Sequence, residues 1–276
     1  MSSRSDLTQR PRSGSDDGVR ELSLPPSDEP FDFRRQAATY ARYRRDYSSA
    51  LYDTIETRTG RAADRAALDL ACGTGFVAGT LALRGWRTVG VDFSPPMLAE
   101  ARRRADGRVA LVNARAEAVA LRDASVALVT CGTAFHWLAP APALAEIERV
   151  LVPGGWVAVF WRYDAPGQPY MRLVGELLQS VAGDVPVLGD GFTVHPLEPF
   201  AGSRLVPVPP LVLHGELAFT PESFHGYVGT LEWVRRFAGD AHAAVMDRLR
   251  EELPRRWPDG FRERVVEHLF LARRAG

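Results

Sequence analysis

Between residues 67 and 161 the chain alternates short apolar runs with segments of helical periodicity. Continuous apolar runs that lie between helices are typical of a parallel sheet covered by helices on both faces. The pattern predicts five strands here, at residues 67–71, 88–92, 109–112, 126–130 and 156–161, the last after a "PGG" turn. It predicts helices at 76–84, at 94–104 with Ser94 as N-cap and Pro95 in the first turn, and at 141–151.

The segments on either side of this core have weaker patterns. Aromatic and basic side chains at helical spacing predict one or two N-terminal helices after residue 31. Beyond residue 164 the pattern predicts helices at 171–181, 220–237 (capped by Thr220) and 241–253, and strands at 205–219 and 264–274. Residues 1–30 hold seven Ser and four Pro with few large apolar groups, so we expect a mostly disordered tail.

Composition narrows the range of functions. The 34 basic and 34 acidic residues balance, which indicates neither a nucleic-acid partner nor a membrane partner. Every basic residue is an arginine, so lysine Schiff-base chemistry is excluded. Two cysteines, Cys72 and Cys131, are too few for a disulfide framework and suit a cytoplasmic protein. Six histidines without metal-ligand spacing, and no apolar run as long as a bilayer span, predict no metal site and no transmembrane helix.

The stretch "ALDLACGTGFVAG" (residues 67–79) joins the first predicted strand to a helix through glycines. Gly73 and Gly75 remove side chains where a ligand contacts backbone, and the helix N-terminus attracts an anionic group. The spacing is GxGxxxG rather than the dinucleotide pattern GxGxxG. Asp69, four residues before Gly73, would repel phosphates and attract an ammonium group. This charge favours an aminoacyl nucleoside over a dinucleotide.

An acidic residue also ends the second predicted strand. Asp92 is placed to accept hydrogen bonds from both hydroxyls of a ribose, with Phe93 and Met97 beside it to pack on adenine. Any one of these residues is equally well explained by a turn or a helix cap. The ordered set of strand, glycines, strand and acid indicates a nucleoside site.

These stretches, with "VDFSPPMLAEARRR", "NARAEAVALRDASVALVTCGTAFHWL" and "EIERVLVPGGWVAVFWR", resemble class I S-adenosylmethionine-dependent methyltransferases. The "ARAE" and "FHW" stretches are most similar to the methyltransferase type 11 subgroup that includes trans-aconitate methyltransferases. The similarity covers residues 31–274 and is strongest at 67–161. Its motifs are specific for the cofactor and poorly specific for the methyl acceptor.

The resemblance implies an α/β, Rossmann-like, doubly wound sheet of seven strands, the last antiparallel, with helical lid insertions. It implies one domain over residues 31–276, with an N-terminal helical lid (31–60), a cofactor-binding core (61–164), and a substrate-side insertion with C-terminal strands (165–276). The implied cofactor site consists of Asp69, Ala71, Gly73, Gly75, Asp92, Phe93, Met97, Ala116, Glu117 and Cys131. Two departures from the family pattern, Ala71 for glycine and Ala127 for aspartate, leave the cofactor assignment intact.

Candidate acceptor residues follow the fourth and fifth strands or lie on the predicted lid: Tyr40, Tyr43, Arg44, His136, Trp137, Trp161, Tyr227 and Trp233. His136 is either a general base or a packing residue, with packing slightly favoured. Arg162 either pairs with an acceptor carboxylate or is solvated, with solvation favoured. The aromatics are equally compatible with core packing. As pocket walls they would suit an apolar or heteroaromatic acceptor.

The sequence thus predicts a cytoplasmic enzyme that transfers a methyl group from S-adenosyl-L-methionine to a small molecule, in bacterial secondary metabolism. Two alternatives stay open at this point. One is a nicotinamide-dependent oxidoreductase. The other is a methyltransferase-like protein that binds the cofactor and directs another reaction, such as cyclisation. The sequence is also compatible with a homo-oligomer.

Overall fold

The computed structural model describes residues 20–21, 33–60, 65–165, 167–182, 192–193 and 198–276. The disordered tail predicted for residues 1–30 lies outside these residues, except for Arg20–Glu21, which pairs with Phe192–Thr193 in a small parallel sheet. None of the described helices combines the length and the hydropathy that crossing a bilayer requires.

The described strands are β1 (Arg20–Glu21), β2 (Ala66–Leu70), β3 (Arg87–Asp92), β4 (Val109–Asn113), β5 (Val126–Gly132), β6 (Leu151–Asp164), β7 (Phe192–Thr193), β8 (Leu205–Pro207), β9 (Leu211–Phe219) and β10 (Phe261–Arg274). The described helices are α1 (Phe33–Tyr43), α2 (Ser49–Thr59), α3 (Phe76–Leu83), α4 (Pro95–Ala105), α5 (Pro140–Val150), α6 (Pro169–Ala182), α7 (Pro221–Val228), α8 (Glu232–Ala238) and α9 (His242–Arg256). Two short 3₁₀ turns, Phe135–Trp137 and Gly239–Ala241, complete the set.

The main sheet has the strand order β4-β3-β2-β5-β6-β10, with β8 and β9 end to end along the outer edge of β10. Strands β2 to β6 are parallel, and β10 is antiparallel to β6 and to both edge strands. This confirms the doubly wound sheet with an antiparallel last strand, its seventh position being shared by two strands. From β2 the strands are added first on one side, as β3 and β4, and then on the other, as β5 and β6. Sheets of this kind bind ligands at the point where the strand order changes side, here between β2 and β5.

Two predicted elements are interrupted, and one predicted turn lies within a longer strand. The strand predicted at 205–219 breaks at Pro209 and Pro210, which have no N–H group for the ladder. The helix predicted at 220–237 begins as expected, since the Thr220 hydroxyl accepts from the Ser223 amide, but residues 229–231 divide it into α7 and α8. The "PGG" turn lies inside β6, where Gly154 has a φ of +76° and the pairing with β5 shifts register.

Two apolar clusters cover the two faces of the sheet, around Val129 and Trp161 on one side and around Leu128 and Phe160 on the other. The insertion between β6 and β10 has an apolar cluster of its own, formed by side chains of α6, α7, α8 and α9. The core thus holds the carboxyl ends of β2, β3 and β5 rigidly beside one another, and the insertion stands next to them.

Candidate cofactor and acceptor site

A cavity of about 530 Å³ opens at the carboxyl ends of β2, β3 and β5. Its floor comes from the ends of these strands and the turns that follow them, including Asp69, Asp92 and Thr133. Its other walls come from α1 and the segment after it, and from α7. The topological switch point, the N-terminal helix and the insertion therefore border one space.

The turn after β2 is built from left-handed residues. Ala71, Gly73 and Gly75 have φ angles of +55°, +54° and +79°. A Cβ atom on Gly73 would meet no atom within 4 Å, so this backbone faces open space in the cavity wall. A Cβ on Gly75 would lie 2.9 Å from Ala101 Cβ, so Gly75 allows α4 to pack closely against the turn.

Asp92 holds this turn in place. Its two carboxylate oxygens accept hydrogen bonds from the Gly73 and Ser94 amides, each at 2.8 Å. Burial raises the pKa of Asp92 above its usual range, although these two hydrogen bonds oppose the shift. Ser94 precedes α4 as predicted, but its side chain makes no capping hydrogen bond.

Asp69 is buried at the end of β2. Its carboxylate accepts hydrogen bonds from the Thr130 hydroxyl at 2.8 Å and the Ala78 amide at 3.0 Å. Burial raises the pKa of Asp69 to about 7. A ligand cation in the cavity would favour the ionised form of this carboxyl.

The cavity wall also contains two buried hydroxyls, Thr74 Oγ1 and Ser94 Oγ, that have no hydrogen-bond partner within the part of the chain that the structure describes. Buried polar atoms are normally satisfied, so these hydroxyls indicate a polar ligand. Together with two carboxylates and an exposed glycine backbone, they fit a ligand that carries an ammonium group and sugar hydroxyls.

The methyltransferase-domain family matches residues 68–159. An uncharacterized methyltransferase of Mycobacterium tuberculosis is 35% identical over 159 residues, which are 58% of this chain and 60% of that protein. Demethylmenaquinone methyltransferase of Thermus thermophilus is 45% identical over 98 residues, covering 33% of this chain and 44% of that protein. Over residues 68–159 the chain therefore matches the methyltransferase-domain family, and we call this part of the chain the methyltransferase domain.

The fold agrees over a longer stretch. A candidate type II methyltransferase of Anaeromyxobacter dehalogenans superposes with a TM-score of 0.60 at 24% identity, covering 84% of this chain and 97% of that chain. The sequence matches cover less than two thirds of the length of the curated relatives. What the methyltransferase domain does within the whole chain is therefore a proposal.

The structure brings twelve of the predicted site residues together in the wall of the cavity of the methyltransferase domain. They are Tyr40, Arg44, Asp69, Ala71, Gly73, Asp92, Phe93, Met97, Ala116, Glu117, Trp137 and Tyr227. Phe93 is 57% exposed, so a large part of its ring is available to a ligand. Three predicted residues of the methyltransferase domain, Gly75, Cys131 and His136, do not line the cavity. Gly75 packs against α4, as described above.

Cys131 is fully buried in the apolar cluster around Val129, and this burial raises the pKa of its thiol. Gly132, the next residue, reaches the cavity instead. Trp161 is also fully buried, and its indole N–H donates to His136 Nδ1 at 3.1 Å. His136 does not line the cavity, so its placement favours the packing role over that of a base.

The lid residues Tyr43 and Trp233 also lie outside the wall. The Tyr43 ring packs on the backbone of Gly226, where an added Cβ would lie 2.4 Å from the ring. Trp233 packs against the apolar cluster of the insertion. Tyr43 thus joins α1 to α7, and Trp233 stabilises the insertion.

The expectation that Arg162 is solvated is wrong. Its side chain is 11% exposed and forms a 2.7 Å ion pair with Glu267, which is 1% exposed. It also donates to the carbonyl oxygens of Arg45 and Asp46, and it lines the cavity. The pairing of β10 with β6 places Glu267 opposite Arg162, and no local pattern in the sequence shows this.

The wall residues that were not predicted as site residues include Arg45, Tyr47 and Thr133. The hydroxyls of Tyr47 and Thr133 form a hydrogen bond, and burial raises the pKa of Tyr47. Arg45 and Tyr47 follow the end of α1 in the same aromatic and basic segment as Tyr40 and Arg44. Their position in this segment was the signal in the sequence that could have identified them as wall residues.

Proposed function

We propose that this chain transfers a methyl group from S-adenosyl-L-methionine to a small-molecule acceptor. One observation carries the proposal: Asp69 and Asp92, from the carboxyl ends of two adjacent parallel strands, line a single cavity in a methyltransferase domain. When bound, the cofactor supplies an electrophilic methyl group on a sulfonium. The work of the chain is to align an acceptor with that methyl and to exclude water.

The cofactor half of the cavity would be divided as follows. Asp69 would pair with the ammonium group, and the Gly73 backbone would lie against the aminoacyl end. Asp92 would accept hydrogen bonds from the ribose. Each of its oxygens accepts one hydrogen bond from a backbone amide and has a further lone pair. Met97, Phe93 and the backbone at Ala116 would border adenine, with Glu117 beside them.

The acceptor half would lie between α1 and α7. Tyr40, Trp137 and Tyr227 form its aromatic walls. Their rings would exclude water from the transferring methyl group. Proton removal by a side chain is not part of this proposal, because His136 lies outside the wall.

Calorimetric titration with S-adenosylhomocysteine and with NAD tests the cofactor assignment. We expect binding of the former and none of the latter. Asp92→Asn should weaken binding by about tenfold or more, because charge-assisted hydrogen bonds are lost. Asp247→Asn, at an exposed carboxylate of α9, is the matched control and should bind normally. Affinity for NAD alone would establish the oxidoreductase alternative.

Methyl transfer itself is tested with labelled cofactor and a panel of small acceptors, analysed by mass spectrometry. Labelled product and released S-adenosylhomocysteine are expected. If the cofactor binds but no acceptor of the panel causes S-adenosylhomocysteine to form, the result would favour the alternative in which the protein directs another reaction, such as cyclisation. A cytoplasmic location and a role in bacterial secondary metabolism belong to the same proposal and rest on composition.

A further inference from the structure

Charge is distributed unevenly around the cavity. The carboxylates in its wall, Asp69, Asp92 and Glu117, lie at β2, at β3 and after β4, and Glu117 is paired with Arg115. Around α1 and the end of β6 the wall instead contains three guanidinium groups, which we call the arginine end: Arg44, Arg45 and Arg162. Positively charged side chains therefore lie beside the aromatic walls of the cavity.

Only one of these three arginines has a carboxylate partner within the described parts of the chain. Arg162 is neutralised by Glu267, which is buried behind it. Arg44 donates from Nε to the Thr230 hydroxyl at 2.8 Å and from Nη2 to the Thr230 carbonyl at 2.9 Å. These partners are neutral, so the charge of Arg44 is not compensated.

The surroundings of Arg44 limit what it can bind. Its guanidinium carbon lies 4.9 Å from the centre of the Tyr40 ring and 5.2 Å from the centre of the Tyr227 ring. The rings stabilise the cation and keep its plane in place. The remaining N–H groups lie in that plane, which suits the oxygens of a carboxylate or a phosphate.

Arg45 has the same character. Its Nη1 donates to the carbonyl oxygens of residues 42, 43 and 44 at 3.3, 3.3 and 3.4 Å, at the end of α1. Its Nε and Nη2 make no hydrogen bond to the described residues. Neither Arg44 nor Arg45 thus has a carboxylate hydrogen-bond partner among the described residues, and both add positive charge to the arginine end.

We propose that the arginine end binds an oxyanion, carboxylate or phosphate, that is carried by the methyl acceptor. The acceptor is then a small organic anion with an apolar or aromatic body between Tyr40 and Tyr227, held by Arg44 and Arg45. This rests on the proposed methyl transfer. The same chemistry has a second source, the carboxylate of the cofactor itself, and the experiment distinguishes the two.

The test uses the full chain saturated with S-adenosylhomocysteine. Calorimetry measures the binding of small carboxylic acids and of phosphate monoesters, each paired with its neutral amide or parent alcohol. At least one anion should bind about tenfold more tightly than its neutral partner. Arg45→Met should abolish that preference and Arg45→Lys should retain part of it. Arg42→Met, at an exposed arginine of α1 that is paired with Glu222, should not change it.

Equal binding of anions and neutral partners by the unchanged protein would overturn the proposal, and so would a preference that survives Arg45→Met. The cofactor is tested separately with S-adenosylhomocysteine and its decarboxylated analogue. If Arg45→Met weakens binding of the first about tenfold and leaves the second unchanged, the oxyanion is that of the cofactor, which also overturns the proposal. Failure of the unchanged protein to bind S-adenosylhomocysteine would instead contradict the proposed function.

Discussion

The hydroxyl oxygens of Tyr47 and Thr133 lie 2.5 Å apart in the wall of the cavity. Thr133 has a φ of +49°, a conformation that β-branched residues rarely adopt, and its amide donates to the Phe160 carbonyl at 2.7 Å. The Tyr47 ring packs edge-on against Phe160, with ring centres 4.7 Å apart. Strained residues such as Thr133 concentrate at ligand sites, and Thr133 directly follows β5 in the wall of the cavity.

Tyr47→Phe should cost about 1 kcal/mol of stability, since one hydrogen bond is lost, and it should also slow methyl transfer. Tyr52→Phe is the control. The Tyr52 hydroxyl also makes a buried hydrogen bond, to Asp46, but Tyr52 does not line the cavity. Thermal unfolding and single-turnover rates separate the two effects. Equal loss of rate in both variants would show that the Tyr47 hydroxyl acts only through stability.

Ala71→Gly should stabilise the protein by about 0.5–1 kcal/mol, because Ala71 has a φ of +55° that glycine adopts without steric cost. Ala124→Gly is the matched control at an exposed position with a φ of +48°. Both variants should raise the free energy of unfolding in urea, and affinity for S-adenosylhomocysteine should stay unchanged in both. Weaker binding in Ala71→Gly alone would show that the Ala71 methyl group contacts the cofactor.

Cofactor affinity should depend on pH through Asp69. Burial raises the pKa of this carboxyl to about 7, and an ammonium group binds only its ionised form well. Affinity for S-adenosylhomocysteine should therefore be constant well above pH 7 and fall by up to about tenfold per pH unit below it. Calorimetry across this range, with Asp69→Asn as control, checks it. The variant should bind weakly with no such dependence, and a flat profile in the unchanged protein would contradict the assignment.

Replacement by glutamine should have opposite effects on stability at two buried glutamates of β10, Glu263 and Glu267. Burial, reinforced by the neighbouring Asp164, raises the pKa of Glu263 to about 11. A raised pKa in the folded state favours folding at low pH, and this contribution is lost as pH rises from the ordinary glutamate pKa towards 11. Glu263→Gln should therefore stabilise the protein at pH 8 by at least about 1 kcal/mol, with less effect at pH 5.

Glu267→Gln is the counterpart of that variant. It removes the charge that neutralises the buried Arg162, so it should destabilise the protein by about 3 kcal/mol at pH 8. Denaturant unfolding of both variants and of the unchanged protein, at pH 5 and at pH 8, gives the free energies of unfolding to be compared. A destabilised Glu263→Gln at pH 8 would show that Glu263 is ionised in the folded protein.

The nucleoside half of the site was predictable because its signals are local. Asp69, Gly73 and Asp92 each lie within a few residues of a predicted strand end, and parallel strands bring such ends to one edge of a sheet. The acceptor half depends on long-range pairing. The burial of Arg162 requires Glu267, more than 100 residues away, and the Trp161 hydrogen bond holds His136 outside the wall. The break between β8 and β9 was missed for a different reason. Pro209 and Pro210 are a local signal for it, but the apolar residues around them favoured a continuous strand.

Several contacts between the segment at the end of α1 and the rest of the domain use the main chain of the segment. Arg104 donates to the Ala41 carbonyl, and Arg162 donates to the carbonyls of Arg45 and Asp46. Carbonyl oxygens are present whatever side chain a residue carries. A mutation at position 45, which lines the cavity, is therefore able to change the shape and charge of the cavity without removing these main-chain contacts. That separation of anchoring from side-chain identity would allow the acceptor specificity of this domain to evolve by single substitutions, and it makes position 45 suitable for redesign.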